Sequence, residues 1–234
     1  MTSLEAIVFD LDDTLYSERD FVASGFAAVD NYCRTELGLS NFAHRASESF
    51  SSGLRGTIFN TVLASFGITP DPSTVAKLVA VYRDHVPCIR LLNDAQECLH
   101  KLHGKLPLAL ITDGPSLTQW NKIRALGIES MFNAIVVTGD LGPEYAKPHP
   151  LAFQLIEAQL RTHGTHLVYV ADNPSKDFQA PRQLGWQTVR VKRAEGIYSD
   201  RPTRETAEHE VPDLLEFLYS LPEPKPTAGL PALR

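Results

Sequence analysis

The run Asp10-Leu11-Asp12-Asp13-Thr14 sets two carboxylates two residues apart at the end of an apolar stretch. Residues i and i+2 of an extended segment share a face, so Asp10 and Asp12 can look into one site. Such a pair can divide labour. One carboxylate, held ionised by a metal, can attack an electrophile, and the other can carry a proton. Asp113 and Asp172 also stand at the ends of apolar runs. Carboxylates converging in this way repel each other unless a cation is present, and an all-oxygen site suits Mg²⁺. In Thr112-Asp113-Gly114 a hydroxyl precedes a small flexible residue, which lets backbone N–H groups approach an anion with a helix N-terminus behind them. Lys147-Pro148-His149-Pro150 brings a cation to the start of another helix, and Asp172-Asn173-Pro174-Ser175-Lys176-Asp177 adds further acids. A nucleophilic carboxylate, a neighbouring acid, an oxyanion cradle, a lysine and a metal are the parts that phosphoryl transfer needs.

The elements that must position these groups are readable from apolar patterning. Runs at residues 4–9, 106–112, 134–138, 167–171 and 187–191 are short and nearly continuously apolar, as in strands buried on both faces. Helices are expected between them, at 93–103 after an Asn93 cap, at 115–126 before Gly127, and at 150–160 and 174–184, both opened by proline. Strand alternating with helix implies an α/β fold, a parallel sheet covered by helices. Ligands then bind outside the carboxyl ends of the strands, where Asp10, Asp113 and Asp172 fall.

Residues 15–87 break the alternation. Phe21, Val22, Phe26, Val29, Tyr32 and Cys33 recur near helical spacing, and 42–66 and 73–85 also read as helical. The expected organisation is a discontinuous core (1–14 and 88–220), an all-helical insertion (15–87) and a proline-rich C-terminal tail (221–234), extended or disordered. Within the insertion, Phe50, Phe59 and Phe66 read as core rather than as a stacking platform.

With 234 residues, 43% hydrophobic and 21% charged, the chain can bury a core, which excludes disorder as its general state. A net charge of -6 carries no basic footprint for nucleic acid. Cys33, Cys88 and Cys98 have no paired spacing and read as free thiols. No run approaches the ~20 apolar residues of a membrane span, and the first residues lack a signal-peptide pattern. A soluble, cytoplasmic protein with no nucleic-acid or membrane partner is expected. His100 with His103, and His163 with His166, read as helix-end or loop residues rather than metal ligands. Lys176, Arg182 and Lys192-Arg193 form a modest basic group, solvated by default.

Taken in order, these motifs resemble the haloacid dehalogenase superfamily, on its phosphatase side, in the subgroup with a helical cap between the first two motifs. Asp10 to Leu15 match the first motif, Thr112 the second, Lys147 the third, and Asp172 with Asp177 the fourth. Thr112-Asp113-Gly114 followed by Gln119, Lys122 and Leu126-Gly127-Ile128 adds to the likeness. The resemblance implies a Rossmann-like parallel sheet flanked by helices, with residues 15–87 as the cap. It implies that Asp10 attacks phosphorus to give an aspartyl-phosphate, and that Asp12 protonates the leaving alcohol and then activates water. Mg²⁺ would be held by the Asp10 side chain, the Asp12 carbonyl and Asp172, with Asp177 orienting its waters or Lys147. Thr112, the Asp113 amide and Lys147 would bind phosphate. Asp113 departs from the asparagine common at its position in that subgroup.

The implied substrate is a small phosphorylated metabolite: a sugar phosphate, a nucleotide or flavin mononucleotide. Tyr16, Arg19, Arg45 and Arg55 are the polar residues expected to face it from the cap. Dehalogenases of this fold do not carry the second aspartate, so Asp12 favours phosphate esters. A phosphomutase would use the same pair. In a different class, a phospho-accepting receiver module or a non-catalytic phosphate- and metal-binding regulator would use acids at strand ends without turnover.

Overall fold

The computed structural model describes residues 4–201 and 207–221. The five apolar runs form β1 (Ala6–Phe9), β2 (Leu108–Thr112), β3 (Ala134–Val137), β4 (Leu167–Ala171) and β5 (Gln187–Val191). A sixth strand, β6 (His209–Val211), joins them in one parallel sheet of order β3-β2-β1-β4-β5-β6. The sequence reading did not anticipate β6, because three residues, two of them exposed, carry no periodic signal. Strand β1 is central: Phe9 pairs with Leu110 on one side and Val170 on the other. The ends of β1, β2 and β4 therefore lie side by side, and the acid after each reaches one edge of the sheet.

Successive residues of a strand point to opposite faces, and two cores follow from that. Ile7, Phe9, Leu110 and Val170 pack on one face, with Leu99 and Phe217. Val8, Ile111, Tyr169 and Ala171 pack on the other, with Phe153 and Trp186. The Phe153 ring meets Tyr169 and Trp186 edge-on at 5.0 and 5.6 Å.

Four helices follow β1: α1 (Glu18–Glu36), α2 (Phe42–Ser51), α3 (Ile58–Ser65) and α4 (Pro72–Asp84). They share a core of their own around Phe26, Val29, Phe42, Phe59, Leu63 and Leu78. Phe50 and Phe66 pack against that core, as the sequence reading expected. The stretch 42–66 is two helices, separated where Gly53 and Gly56 take φ of 92° and 75°. Helices α1 and α4 are in such close contact that a Cβ at Gly25 would lie 2.4 Å from the Tyr82 ring.

The remaining helices are α5 (Asn93–Leu102), α6 (Ser116–Leu126), α7 (Leu151–Leu160), α8 (Gln179–Gln183) and α9 (Leu214–Ser220). Two expectations need correction. Asn93 is the first residue of α5 and Leu92 occupies the cap position, with no side-chain cap bond. The helix expected over 174–184 is reduced to α8. The Asn173 side chain accepts from Ser175 N at 3.0 Å, and its carbonyl accepts from Asp177 N at 3.1 Å, which makes a turn of the segment after Pro174. Of the expected tail, 222–234 lies outside the described residues. Among the described residues no helix is long and apolar enough to cross a membrane.

Helix α9 is short and is capped by Asp213, whose carboxylate accepts from Leu215 N and Glu216 N at 2.9 Å. Asp213→Ala is expected to lower stability by about 1 kcal/mol, as the loss of a helix cap does. A shift in the urea midpoint at unchanged slope checks it.

Candidate active site

The loop after β1 turns at Asp13, which has a left-handed φ of 50°. Aspartate tolerates that conformation better than most residues. Its carboxylate accepts from Glu18 N and Ile197 N, both at 2.8 Å, and so ties the start of α1 to the loop beyond β5. The turn leaves Asp10 and Asp12 beside one cleft with different neighbours.

Asp10 is buried and its Oδ1 accepts from Lys147 Nζ at 2.6 Å. Burial pushes its carboxyl up to about 7, against the pull of Lys147. Lys147 is itself buried and pairs also with Asp177 at 2.6 Å and the Tyr169 hydroxyl at 3.1 Å. Burial alone would lower the lysine, but Asp10 and Asp177 outweigh it and hold the ammonium charged. Asp172 is buried after β4, and its Oδ2 has no hydrogen-bond partner. Burial, with Asp10 and Asp177 as neighbours, pushes its carboxyl well above the usual range.

Carboxylate oxygens of Asp10, Asp172 and Asp177 lie within 4.8 Å of one another. An orphaned buried oxygen beside a second carboxylate is costly as it stands. A divalent cation with a preference for oxygen relieves both the orphan and the repulsion, so these residues fit Mg²⁺.

Asp12 is held differently. Its Oδ1 accepts from Lys122 Nζ at 2.7 Å and from the Tyr16 hydroxyl, and its Oδ2 accepts from Gln119 Nε2 at 3.0 Å. Burial alone would raise its carboxyl, but Lys122 and the other donors bring it below the ordinary carboxylate value. Gln119 also donates to the buried Thr112 hydroxyl, linking the second-motif residue to the first. Asp113 turns its side chain away from a free anionic role. Its Oδ1 accepts from Thr138 Oγ1 at 2.7 Å and Lys147 N at 3.1 Å, and its Oδ2 from Lys176 Nζ at 2.8 Å. The departure from asparagine is thus matched by a local cation. Gly139 makes this corner possible, because a Cβ there would lie 2.2 Å from the Gly114 carbonyl oxygen.

The cleft holds about 220 Å³. Asp10, Asp12, Asp113 and Asp172 line its floor, and Glu18, Phe21, Tyr82 and Arg83 line the side supplied by α1 and α4. Thr112, Lys147 and Asp177 are buried behind this lining: Gln119 donates to Thr112, Lys147 donates to Asp10, and Asp177 pairs with Lys147.

None of the four residues expected to face substrate from the insertion is among those that line the cleft. Tyr16 is fully buried and bonds Asp12. Arg19 Nε donates to the Glu195 carbonyl at 3.0 Å. Arg45 bonds Ser65 and lies 4.0 Å over Phe66, and Arg55 bonds the Phe50 and Leu54 carbonyls and lies 3.7 Å over Phe50. Arg45 and Arg55 are thus engaged within the insertion itself. Arg83 is the insertion's arginine that lines the cleft.

Gln119 and Lys122, which entered the sequence reading only as part of the family likeness, hold Asp12 directly. They are three residues apart on the helix that follows Gly114, so they share the face turned to Asp12. Glu18, Tyr82, Thr118 and Tyr198 carried no signal in the sequence.

Comparison with known proteins adds to this geometry. The family model described as haloacid dehalogenase-like hydrolase matches residues 4–185. The chain is 28% identical over 220 residues to a glyceraldehyde 3-phosphate phosphatase of Methanopyrus kandleri, covering 90% of this chain and 91% of that one. It is 27% identical over 223 residues to the enzyme of the same name from Methanocaldococcus jannaschii, covering 92% and 96%. Among solved structures, the putative HAD-hydrolase YfnB from Bacillus subtilis superposes with a TM-score of 0.71 at 19% identity, over 94% of this chain and 99% of that one. That structure is described as bound to magnesium and as revealing interdomain movement.

Proposed function

This chain belongs to the haloacid dehalogenase-like hydrolase family, and from that premise we propose that it hydrolyses small phosphate monoesters through an aspartyl-phosphate on Asp10, with Mg²⁺. The two archaeal relatives are named phosphatases, and the chain is read with them as a phosphoric monoester hydrolase. The observation that carries the mechanism is the division between Asp10 and Asp12. One cleft holds both carboxylates, yet Asp10 belongs to Lys147 and the acid cluster, and Asp12 to Lys122 and Gln119.

In the first half-reaction the Asp10 carboxylate attacks phosphorus while the bond from phosphorus to the alcohol oxygen breaks. Asp12 gives that oxygen its proton and is left as a carboxylate. In the second half, Asp12 takes a proton from a water whose oxygen attacks phosphorus. The Asp10–phosphorus bond then breaks, giving inorganic phosphate and restoring both aspartates. A bound phosphate dianion opposes the pull of Lys122 and favours the protonated Asp12 that the first half needs. Lys122 then favours the carboxylate that the second half needs.

Lys147 neutralises charge between Asp10 and the transferred group, and Thr112 and the Asp113 amide cradle its oxygens. Asp10, the Asp12 carbonyl and Asp172 would hold Mg²⁺, which supplies charge neutralisation at the phosphoryl oxygens, with Asp177 beside it. The magnesium described for the Bacillus subtilis relative supports this assignment.

Residues 15–87 act as the cap over the leaving group, and 1–14 with 88–220 as the catalytic core. Support comes from Glu18, Phe21, Tyr82 and Arg83, which bring the insertion to the cleft above the acids. The interdomain movement described for the relative also supports it. Closure of such a cap excludes water from the first half-reaction.

The test is phosphate release from glyceraldehyde 3-phosphate and glycerol 3-phosphate with and without chelator. EDTA is expected to abolish turnover, and excess Mg²⁺ to restore it. Full turnover after exhaustive chelation would overturn the metal assignment.

A further inference from the structure

Three lysines at and beneath the cleft are each matched by carboxylates, and Asp172 falls to the proposed Mg²⁺ site. Lys147 is matched by Asp10 and Asp177, Lys122 by Asp12, and Lys176 by Asp113. Glu18, in the first turn of α1, also lines the cleft. Its carboxylate has no hydrogen-bond or ion-pair partner among the described residues. Asp12, Tyr82 and Tyr198 all lie close enough to interact with it.

A second observation is independent of the first. Thr118, in the first turn of α6, is 5% exposed and lines the same cleft, and its Oγ1 has no hydrogen-bond partner. A buried hydroxyl without a partner is the kind of group a ligand completes. Thr118 comes from the core and Glu18 from the insertion, so the two unfilled groups belong to different elements of one cleft. Both remain after the catalytic carboxylates, Thr112 and Lys147 have been assigned.

We propose that Glu18 and Thr118 form a subsite for hydroxyl groups on the leaving alcohol, selecting short neutral polyol phosphates over esters whose alcohol is apolar or carries a carboxylate. The inference rests on the hydrolase reading above and deepens it. A carboxylate accepts from an alcohol hydroxyl, and the threonine hydroxyl can donate or accept. A site built to bond a hydroxyl rejects the analogue that lacks it, because its own polar groups are then left unpaired. An anionic leaving group would meet the Glu18 charge at close range. Arg83 also lines the cleft but is exposed, where water screens it.

The experiment measures kcat/KM at pH 8, with Mg²⁺, for glycerol 3-phosphate, n-propyl phosphate and 2-phosphoglycolate. It compares the full-length wild type with Glu18→Gln and Thr118→Val. Wild type is expected to favour glycerol 3-phosphate over each of the others by about tenfold or more. Glu18→Gln is expected to narrow the preference over phosphoglycolate by about tenfold, mainly through KM. Thr118→Val is expected to narrow the preference over propyl phosphate. A general structural defect would lower all three substrates together and leave the ratios alone. Equal wild-type use of the three esters, or ratios unmoved in both variants, would overturn the subsite while leaving the hydrolase standing. No turnover of any ester by the wild type would overturn the hydrolase reading, and the subsite with it.

Discussion

Asp10→Asn is expected to lower phosphate release by about 10⁴-fold or more, the scale of losing a nucleophile that acts as a unit with its neighbours. An amide of the same shape cannot form the bond to phosphorus. Its oxygen can still accept from Lys147, which also keeps its partners Asp177 and Tyr169. The change removes one of three acids whose oxygens crowd within 4.8 Å. The urea midpoint measured without metal should therefore shift by no more than about 1 kcal/mol equivalent. Lost activity with a retained midpoint separates a missing nucleophile from a damaged fold. Residual turnover within tenfold of wild type would remove Asp10 from the chemistry.

Asp12→Asn is expected to cost about 10² to 10⁴-fold, the usual contribution of a general acid–base group. The informative readout is its dependence on the leaving group. An alkyl alcohol leaves poorly without a proton, whereas a nitrophenolate leaves without one. The burst of alcohol release, which reports the first half-reaction alone, should fall far more with glycerol 3-phosphate than with p-nitrophenyl phosphate. Steady-state turnover should fall with both, because in the proposed mechanism the same aspartate activates water in the second half. Equal loss of the burst on the two substrates would mean that Asp12 only positions groups. The substitution also leaves Lys122, nearly buried at 6% side-chain exposure, without its carboxylate partner. Some loss of stability accompanies the change, so activity is read on protein shown to be folded.

Much of this arrangement was legible in the chain. A buried parallel strand announces itself by a nearly unbroken apolar run, and β1, β2, β3 and β4 did so. The acids that terminate three of those strands marked the cleft before any geometry was known. What escaped were features set by packing across elements. Strand β6 is too short to show a period, and Pro174 opens a turn closed by Asn173 rather than a helix. Arg45 and Arg55 look identical in sequence to ligand-binding arginines, and only tertiary packing turns them onto Phe66 and Phe50. Glu18 and Thr118 gain significance only from what fails to pair with them, which a sequence does not display.

The central place of β1 in the sheet has a consequence for how the molecule is made. Phe9, near the N-terminus, pairs with Leu110 and with Val170, both far along the chain. Such non-local pairing raises contact order and slows folding, because loop closure must precede any reward from the sheet. The helices between β1 and β2 contact one another locally and can consolidate first. During synthesis the strand that ends at Asp10 emerges before its partners and waits, apolar on both faces, for strands translated much later. Order at the carboxyl edge is therefore a late event. The site assembles only when the strand bearing Asp172 docks against the one bearing Asp10, which confines the chemistry to molecules that have completed their sheet.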